Sequence, residues 1–98
     1  MYEKTYEHYL KTLVEEAGGE CIKLTGVTGL PDRMCLLPGG RIVFVEMKRE
    51  GFKPRKVQFE WIDKLRGLGF CAGWCDSYES VERLMDKIKE GYGDRNVI

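Results

Sequence analysis

The stretch "MCLLPGGRIVFVEMK", Met34–Lys48, predicts the β-hairpin around which the rest of the fold is arranged. Two apolar runs flank the turn sequence Pro38–Arg41, whose paired glycines are typical of a tight hairpin connection. Successive side chains of the second run alternate between two faces, so Glu46 and Lys48 share the face of Phe44. A carboxylate and an amine are therefore predicted side by side, about 7 Å apart along the strand.

Charges inside an apolar strand need a partner or a ligand, because an unpaired charge is costly to bury. If Leu37 lies opposite Ile42 in the hairpin, counting back brings Asp32 level with Glu46 to within one residue. Two close carboxylates repel each other unless a cation neutralises them, and hard oxygen ligands suit Mg²⁺ or Mn²⁺. The cluster therefore predicts a metal site for phosphodiester hydrolysis, and the alternative is a structural salt bridge between Glu46 and Lys48.

Helices and further strands are predicted on both sides of this hairpin. An apolar repeat from Tyr6 to Ala17 predicts a first helix that ends at Gly18. The remaining pattern predicts a strand over 21–24, a glycine-rich loop over 25–32, a helix from near Pro54 to Gly69 with an apolar face of Val57, Trp61, Leu65 and Leu68, a strand over 70–75, and a last helix capped by Ser77. The order αβββαβα predicts an α/β fold in which helices flank a mixed central sheet. We expect one domain over 1–90 and a tail over 91–98.

Net charge excludes a general electrostatic attraction to nucleic acid or membranes, because 16 basic and 16 acidic residues cancel. Any attraction must come from local clusters. The clearest cluster comprises Lys48, Arg49, Lys53, Arg55 and Lys56. Its last three members precede or enter a predicted helix whose N-terminal amides attract anions, so we expect them to bind DNA phosphates, with Arg33 contacting phosphates from the other side. A solvated basic loop is the alternative. Such contacts read backbone rather than bases, which favours DNA shape over sequence.

Other site types are disfavoured. The four cysteines form no CxxC pair and are expected to be buried reduced thiols. His8 is the sole histidine, which argues against a His-centred triad or an HExxH zinc site. No apolar run approaches the roughly 20 residues of a membrane span, and the N-terminus "MYEKTYEHYLK" is too charged for a secretory signal. We therefore expect a cytoplasmic protein without a membrane partner.

Three sequence blocks, taken in order, carry a family resemblance. "GLPDR" at 29–33, "LPGGRIVFVEMK" at 37–48 and "KPRKVQFEWIDKLRGLGF" at 53–70 resemble the virus-type replication-repair nuclease (VRR-NUC) domain. That domain is a branch of the PD-(D/E)xK, or restriction-endonuclease-like, superfamily. The match runs from the first helix to about Val81 and resembles the stand-alone phage or bacterial type. It implies a restriction-endonuclease-like core.

The resemblance also implies roles for individual residues. Asp32 and Glu46 would bind Mg²⁺, which Mn²⁺ can replace, and the backbone carbonyl of Met47 would be a further ligand. Lys48 would be the catalytic lysine. Gln58, one position from an apolar residue and so at the edge of the packed helix face, would reach the site from the next helix.

Related nucleases also place a glutamate on the first helix, facing the metal. Periodicity does not choose between Glu3 and Glu7, since both border the apolar stripe. The distance from Glu7 to Gly18 resembles the spacing in archaeal Holliday-junction resolvases of the superfamily, which favours Glu7. Glu3 stays as the alternative.

The function implied is a Mg²⁺-dependent DNA endonuclease that selects branched DNA, like a Holliday-junction resolvase, in recombination or repair. Cutting both strands of a junction symmetrically requires two sites, and one small domain offers one, so we expect a homodimer. The strand over 70–75 and the last helix are candidate contact elements. The alternatives are a flap nuclease, an exonuclease, a nicking nuclease, or a catalytically silent DNA-binding module of the same fold. A silent relative would be expected to lack Asp32, Glu46 or Lys48, and all three are present.

Overall fold

The computed structural model describes residues 3–92, and the side chains of residues 5–92. Its elements are α1 (Glu3–Glu16), β1 (Glu20–Lys23), β2 (Arg33–Leu37), β3 (Arg41–Met47), α2 (Lys56–Gly67), β4 (Cys71–Cys75) and α3 (Tyr78–Lys89). This order confirms the predicted αβββαβα arrangement. Residues 93–98 of the predicted tail lie outside the described residues, whereas Tyr92 donates its hydroxyl to the carbonyl of Ala72 at 3.2 Å.

The four strands form one mixed sheet in the order β1-β2-β3-β4. The first three strands are antiparallel, and β4 runs parallel to β3. The α/β class and the mixed sheet are thus confirmed. Since β3 lies inside the sheet, both of its faces are covered, and its side chains are distributed between two layers of helices.

The hairpin register differs by one residue from the predicted one. Leu37 pairs with Arg41, and Leu36 rather than Leu37 lies opposite Ile42. The connection is therefore three residues long instead of four, and its two glycines at 39 and 40 have φ angles of 83° and 76°, which a side chain would disfavour. The shift brings Asp32 directly level with Glu46 when the register is extended by one pair beyond Arg33.

The two faces of the sheet carry separate cores. Val43, Val45 and Met47 are buried on the face covered by α1 and α3. Phe44 packs on the other face against the buried side chains of Ile62, Leu65 and Ala72, in the cluster formed by α2 and β4. The alternation predicted for β3 therefore separates the two layers of helices, and it places Glu46 on the α2 side.

The predicted apolar face of α2 is wrong by part of a turn. Gln58, Ile62 and Leu65 are the buried residues of the helix, whereas Leu68 is 63% exposed. Leu68 lies beyond the last helical residue, Gly67, and so leaves the packed stripe. Gln58 occupies an interior position because hydrogen bonds satisfy its amide there, as described below.

The cysteines are all free thiols, as predicted. Cys35 and Cys75 are buried, but Cys21 and Cys71 are only half-buried, so burial of all four was wrong. Cys21 lies directly opposite Cys35 in the β1–β2 register. Over residues 3–92, no helix has both the length and the apolar character needed to cross a membrane.

Candidate active site

Asp32 joins the ends of β2 and β3. It precedes the first residue of β2, and its Oδ1 atom accepts the N–H of Met47 at 3.0 Å. Its own carbonyl accepts the N–H of Leu24, so the backbone at this point is also tied to the β1 side. The Asp32 carboxylate is thereby held beside the end of β3, where Glu46 and Met47 lie.

Pro31 shapes the position next to this carboxylate. Extending the Arg33–Val45 pairing by two residues sets Pro31 opposite Met47. Proline has no N–H, so it cannot donate to the Met47 carbonyl as an ordinary strand residue would. Pro31 is fully buried and defines the end of the ladder. The Pro31–Asp32 pair thus replaces regular strand pairing with a carboxylate next to the Met47 peptide.

Glu46 is a buried carboxylate with two donors on one oxygen. Its exposed fraction is 4%. The Oε2 atom accepts a hydrogen bond from Gln58 Nε2 at 3.1 Å and lies 3.3 Å from Lys48 Nζ. The predicted proximity of Glu46 and Lys48 on one strand face is therefore present, and it takes the form of a partly buried ion pair.

Gln58 connects this carboxylate to the start of α2. Its Oε1 atom accepts the backbone N–H of Arg55, the N-cap residue, at 2.8 Å. The two hydrogen bonds define the amide orientation, because the N–H requires the oxygen and the carboxylate requires the NH₂ group. The guanidinium of Arg55 has no acceptor, so only the glutamine half of a capping box is present. The first turn of α2 is thus positioned relative to Glu46.

Glu7 reaches the site from α1 and pairs with Arg33. The distance from Arg33 Nη2 to Glu7 Oε2 is 2.8 Å, and the two side chains are 16% and 13% exposed. Arg33 shares the strand face of its partner Val45, which is the α1 side of the sheet. Its Nε atom is buried without a hydrogen-bond partner among the described residues. Glu3 belongs to α1, but its side chain lies outside the described residues.

Asp32 has the most perturbed carboxyl group of the site. Burial raises its pKa to about 7, and the nearby carboxylates of Glu46 and Glu7 raise it further, while the Met47 N–H opposes the shift. Negative charge is therefore disfavoured at this carboxyl in the protein alone. A cation bound beside Asp32 and Glu46 would reverse that balance.

The donor set fits Mg²⁺. Two carboxylates and a backbone carbonyl meet at the ends of β2 and β3, and these are hard oxygen ligands. Within the part of the chain that the structure describes, no three histidine, cysteine, aspartate or glutamate side chains converge as a metal cluster. Mg²⁺ is usually held by one or two carboxylates and keeps several waters, whereas zinc prefers nitrogen and sulfur ligands. The site therefore suits a hydrated Mg²⁺ or Mn²⁺ ion.

The predicted DNA-binding residues fall into two groups. Arg49, Lys53, Arg55 and Lys56 are all exposed between the end of β3 and the start of α2. We call residues 49–56 the basic loop; it follows Lys48 directly. The guanidinium of Arg49 lies 4.1 Å from the centre of the Phe52 ring. Arg33 is separate, since it is paired with Glu7 on the α1 side.

Sequence reasoning missed two features of the site. It did not predict the ion pair between Glu7 and Arg33, although strand alternation puts Arg33 on the face of Val45. It also placed Gln58 at the edge of its helix rather than in the interior. The spacing of Arg55 and Gln58, typical of an N-cap and its third helical residue, is the signal that would have indicated the backbone hydrogen bond.

Comparisons with known proteins cover most of the chain. No family model matches it. It is 39% identical over 69 residues to "Putative nuclease p44" of Acyrthosiphon pisum secondary endosymbiont phage 1, across 68% of this chain and 74% of that protein. A solved structure described as "VRR_NUC domain" superposes with a TM-score of 0.78 at 31% identity, covering 88% of this chain and 97% of the other. The likeness therefore extends to both sequence and tertiary structure.

Proposed function

The chain belongs to the VRR-NUC family of nuclease domains, and on that premise we propose that it is a metal-dependent endonuclease that hydrolyses phosphodiester bonds of DNA. One observation carries the proposal: Asp32, Glu46 and Lys48 meet at the ends of β2 and β3. The proposed ligands of Mg²⁺, or of Mn²⁺ in its place, are the two carboxylates and the carbonyl of Met47.

The metal would supply Lewis-acid chemistry, polarising a phosphate oxygen and acidifying a bound water. Lys48 contributes a positive charge at the same place, since its Nζ atom lies 3.3 Å from Glu46 Oε2. In the proposed reaction Lys48 orients the attacking water or offsets the negative charge that develops on the phosphate. Gln58 is a positioning residue, because its hydrogen bond orients the Glu46 carboxylate.

DNA binding is proposed to use the basic loop. Its four exposed cations precede or enter α2, whose N-terminal amides also favour an anion. Phosphate contacts of this kind position the substrate without reading bases. This supports selection by DNA shape, and we propose branched DNA, such as a four-way junction, as the preferred substrate.

A homodimer follows from the same proposal. One chain supplies one site, and symmetric cutting of both strands of a junction needs two. β4 is an edge strand of the sheet, and α3 follows it in the chain. These elements are the proposed contact surface. We place the enzyme in the cytoplasm of a bacterial or phage-infected cell, on the strength of its likeness to a phage protein.

The test is a cleavage assay on labelled four-way junction, 5′ and 3′ flap, duplex and single-stranded DNA, with Mg²⁺, Mn²⁺ or EDTA. Glu46→Gln and Lys48→Ala should abolish cutting, since each removes a charge from the site. Lys87→Ala is the matched control, because Lys87 is an exposed lysine of α3 on the other side of the sheet. It should cut at the wild-type rate.

Each pattern of cleavage separates the alternatives. Metal-dependent junction cutting that is lost in both site variants supports the proposed function. Cutting of only flaps or free ends shifts the assignment to a flap nuclease or an exonuclease, and single-strand nicks indicate a nicking enzyme. Tight DNA binding without cleavage under either metal overturns the nuclease assignment in favour of a silent binding module.

A further inference from the structure

A second cationic surface lies on the α1–β1 side of the candidate active site. It is an open groove of about 470 Å³. Its lining residues are Glu7, His8, Lys11, Cys21, Lys23 and Arg33. We call this surface the α1–β1 groove. Unlike the basic loop, it is assembled from elements that are separate in sequence.

The charge of the groove is predominantly positive. Lys11, Lys23 and Arg33 contribute three cations, and Glu7 contributes the one carboxylate, which Arg33 already contacts at 2.8 Å. Lys11 and Lys23 are exposed, and neither takes part in the ion pairs found among the described side chains. The groove therefore has two lysines available for an anionic ligand.

The surroundings of Cys21 agree with this charge distribution. A hydrogen bond with Cys35 lowers the pKa of the Cys21 thiol most, and the positive charges of Arg33 and Lys11 lower it further. Both cations therefore act on the interior of the groove rather than only on bulk solvent. A phosphate placed there would meet the same field.

The groove adjoins the proposed metal site. Arg33 follows Asp32 in the chain, and Glu7, its ion-pair partner, raises the pKa of Asp32. The Glu7–Arg33 pair thus separates the groove from the carboxylates. Because α1 and α2 cover opposite faces of the sheet, the groove and the basic loop flank the end of β3 from different sides.

We propose that the α1–β1 groove binds the phosphodiester backbone of the DNA substrate, with Lys11 and Lys23 as phosphate contacts, so that basic surfaces hold the DNA on both sides of the metal site. This inference rests on the proposed nuclease function. An open groove with two flexible lysines on separate elements suits a polyanion rather than a small anion, which is normally enclosed by several converging donors. DNA presents charges at short, regular intervals that such lysines can follow.

The test is DNA affinity as a function of salt in EDTA, where binding is measured without cutting. The double variant Lys11→Gln/Lys23→Gln should bind the junction roughly tenfold or more weakly at about 0.1 M salt, because each lost phosphate contact releases fewer counterions. The slope of log affinity against log salt should fall by about 2. The matched control is Lys87→Gln/Lys89→Gln, which should keep the wild-type affinity and slope.

The control lysines are exposed and lie at the other end of the sheet. The neighbouring carbonyl of Ile88 accepts a hydrogen bond from Arg41 at 2.6 Å, and Arg41 begins β3. Met47 ends the same strand, about 20 Å farther along it. Wild-type affinity and slope in the groove variant, or equal losses in groove and control variants, would overturn the proposal.

A second measurement uses the wild-type chain and so does not depend on variant folding. Cys21 lines the groove, and saturating junction DNA in EDTA should slow its alkylation by iodoacetamide several-fold. Cys71 on β4 is the internal reference and should react at an unchanged rate. Equal protection of both thiols, or of neither, contradicts groove binding. Neither assay requires cleavage, so an inactive enzyme would overturn the proposed function and leave the groove result readable.

Discussion

At the scale of single residues, the Glu46 carboxylate is held by a donor from its own strand and a donor from α2. Lys48 and Gln58 both reach the Oε2 atom, and the second oxygen contact of Gln58 is with the Arg55 N–H. Gln58 is thus the side chain through which the start of α2 is tied to the site. Its role can be separated from general stability by measuring metal dependence.

Gln58→Ala should raise the Mg²⁺ concentration needed for half-maximal cleavage by about tenfold or more, as is common when a residue that orients a metal ligand is removed. The measurement is the cleavage rate over a Mg²⁺ titration. Gln58→Glu is the matched control for the helix, because it keeps an acceptor for the Arg55 N–H while losing the donor to Glu46. A wild-type Mg²⁺ dependence in both variants would contradict the positioning role.

The raised pKa of Asp32 predicts a pH-dependent stability of the metal-free protein. The folded chain holds this proton up to about pH 7, whereas the unfolded chain releases it near the ordinary value of 3.8. The stabilising contribution is therefore complete below about pH 3.8 and lost as pH rises through about 7. Asp32→Asn should remove this loss.

The measurement is the free energy of unfolding in EDTA for wild type and Asp32→Asn over a pH series. The variant should gain stability relative to wild type as pH rises towards 8, because its amide stays neutral while keeping an oxygen for the Met47 N–H. It should nevertheless have no cleavage activity. A constant stability difference between the two proteins across the series would refute the raised pKa.

At the scale of secondary-structure elements, the loop before Asp32 depends on close contact with α2. Gly29 has a φ of +86°, and a Cβ atom there would lie 2.7 Å from Val57 Cγ2 and 3.0 Å from Trp61 Cδ1. Gly26 has a similar φ of +96°, yet a Cβ atom there would meet nothing within 4 Å. The two glycines therefore separate backbone strain from a packing clash.

Gly29→Ala should destabilise the protein by about 1 kcal/mol or more beyond Gly26→Ala, because both share the strain but only the first overpacks. It should also slow cleavage, since the displaced loop leads to Asp32. Chemical denaturation and the cleavage assay measure the two effects. Equal stability losses would show that the Val57 side chain simply moves aside.

The start of α3 offers an element whose stability is separable from catalysis. Ser77 is its N-cap, and its Oγ atom accepts the N–H of Ser80 at 3.1 Å. Ser77→Ala should cost about 1 kcal/mol and lower the melting temperature by several degrees. Cleavage well below the melting point should be unchanged, because α3 packs on the sheet face away from Glu46.

Ser77→Asp is the control for the cap, since aspartate is an equally good N-cap acceptor. It should melt close to wild type. A loss of activity in Ser77→Ala at low temperature would show instead that α3 is coupled to the active site across the sheet.

At the scale of the whole molecule, the proposed metal links segments that only the folded chain brings together. Asp32 precedes β2, whereas Glu46 and Met47 end β3. Mg²⁺ at ten times its dissociation constant should therefore stabilise the folded protein by about 1.4 kcal/mol if the unfolded chain does not bind it. The melting temperature should rise by several degrees.

Thermal melting with Mg²⁺, compared with KCl at equal ionic strength, measures this effect at pH 8. The Asp32→Asn variant should show no rise, because it lacks one of the two proposed carboxylate ligands. An equal rise in wild type and variant would place the stabilising ion elsewhere on the molecule.

Much of the fold was predictable because it follows from local patterns. Alternation in β3 correctly separated Val43 and Val45 from Phe44, and the glycines after Pro38 correctly indicated the hairpin. The register was one residue out, because turn length depends on backbone angles that the letters do not specify. The interior position of Gln58 was missed for a related reason, since it depends on a carboxylate from another element.

The sequence by itself determined which side chains alternate along β3 and in which order helices and strands follow each other. Those properties depend on backbone geometry within a few residues. Only the tertiary structure brought Glu7 to Arg33 and set Lys11 beside Lys23 in one groove. These pairs are far apart in the chain, and their meeting depends on how α1 packs over the sheet. No local periodicity encodes that placement.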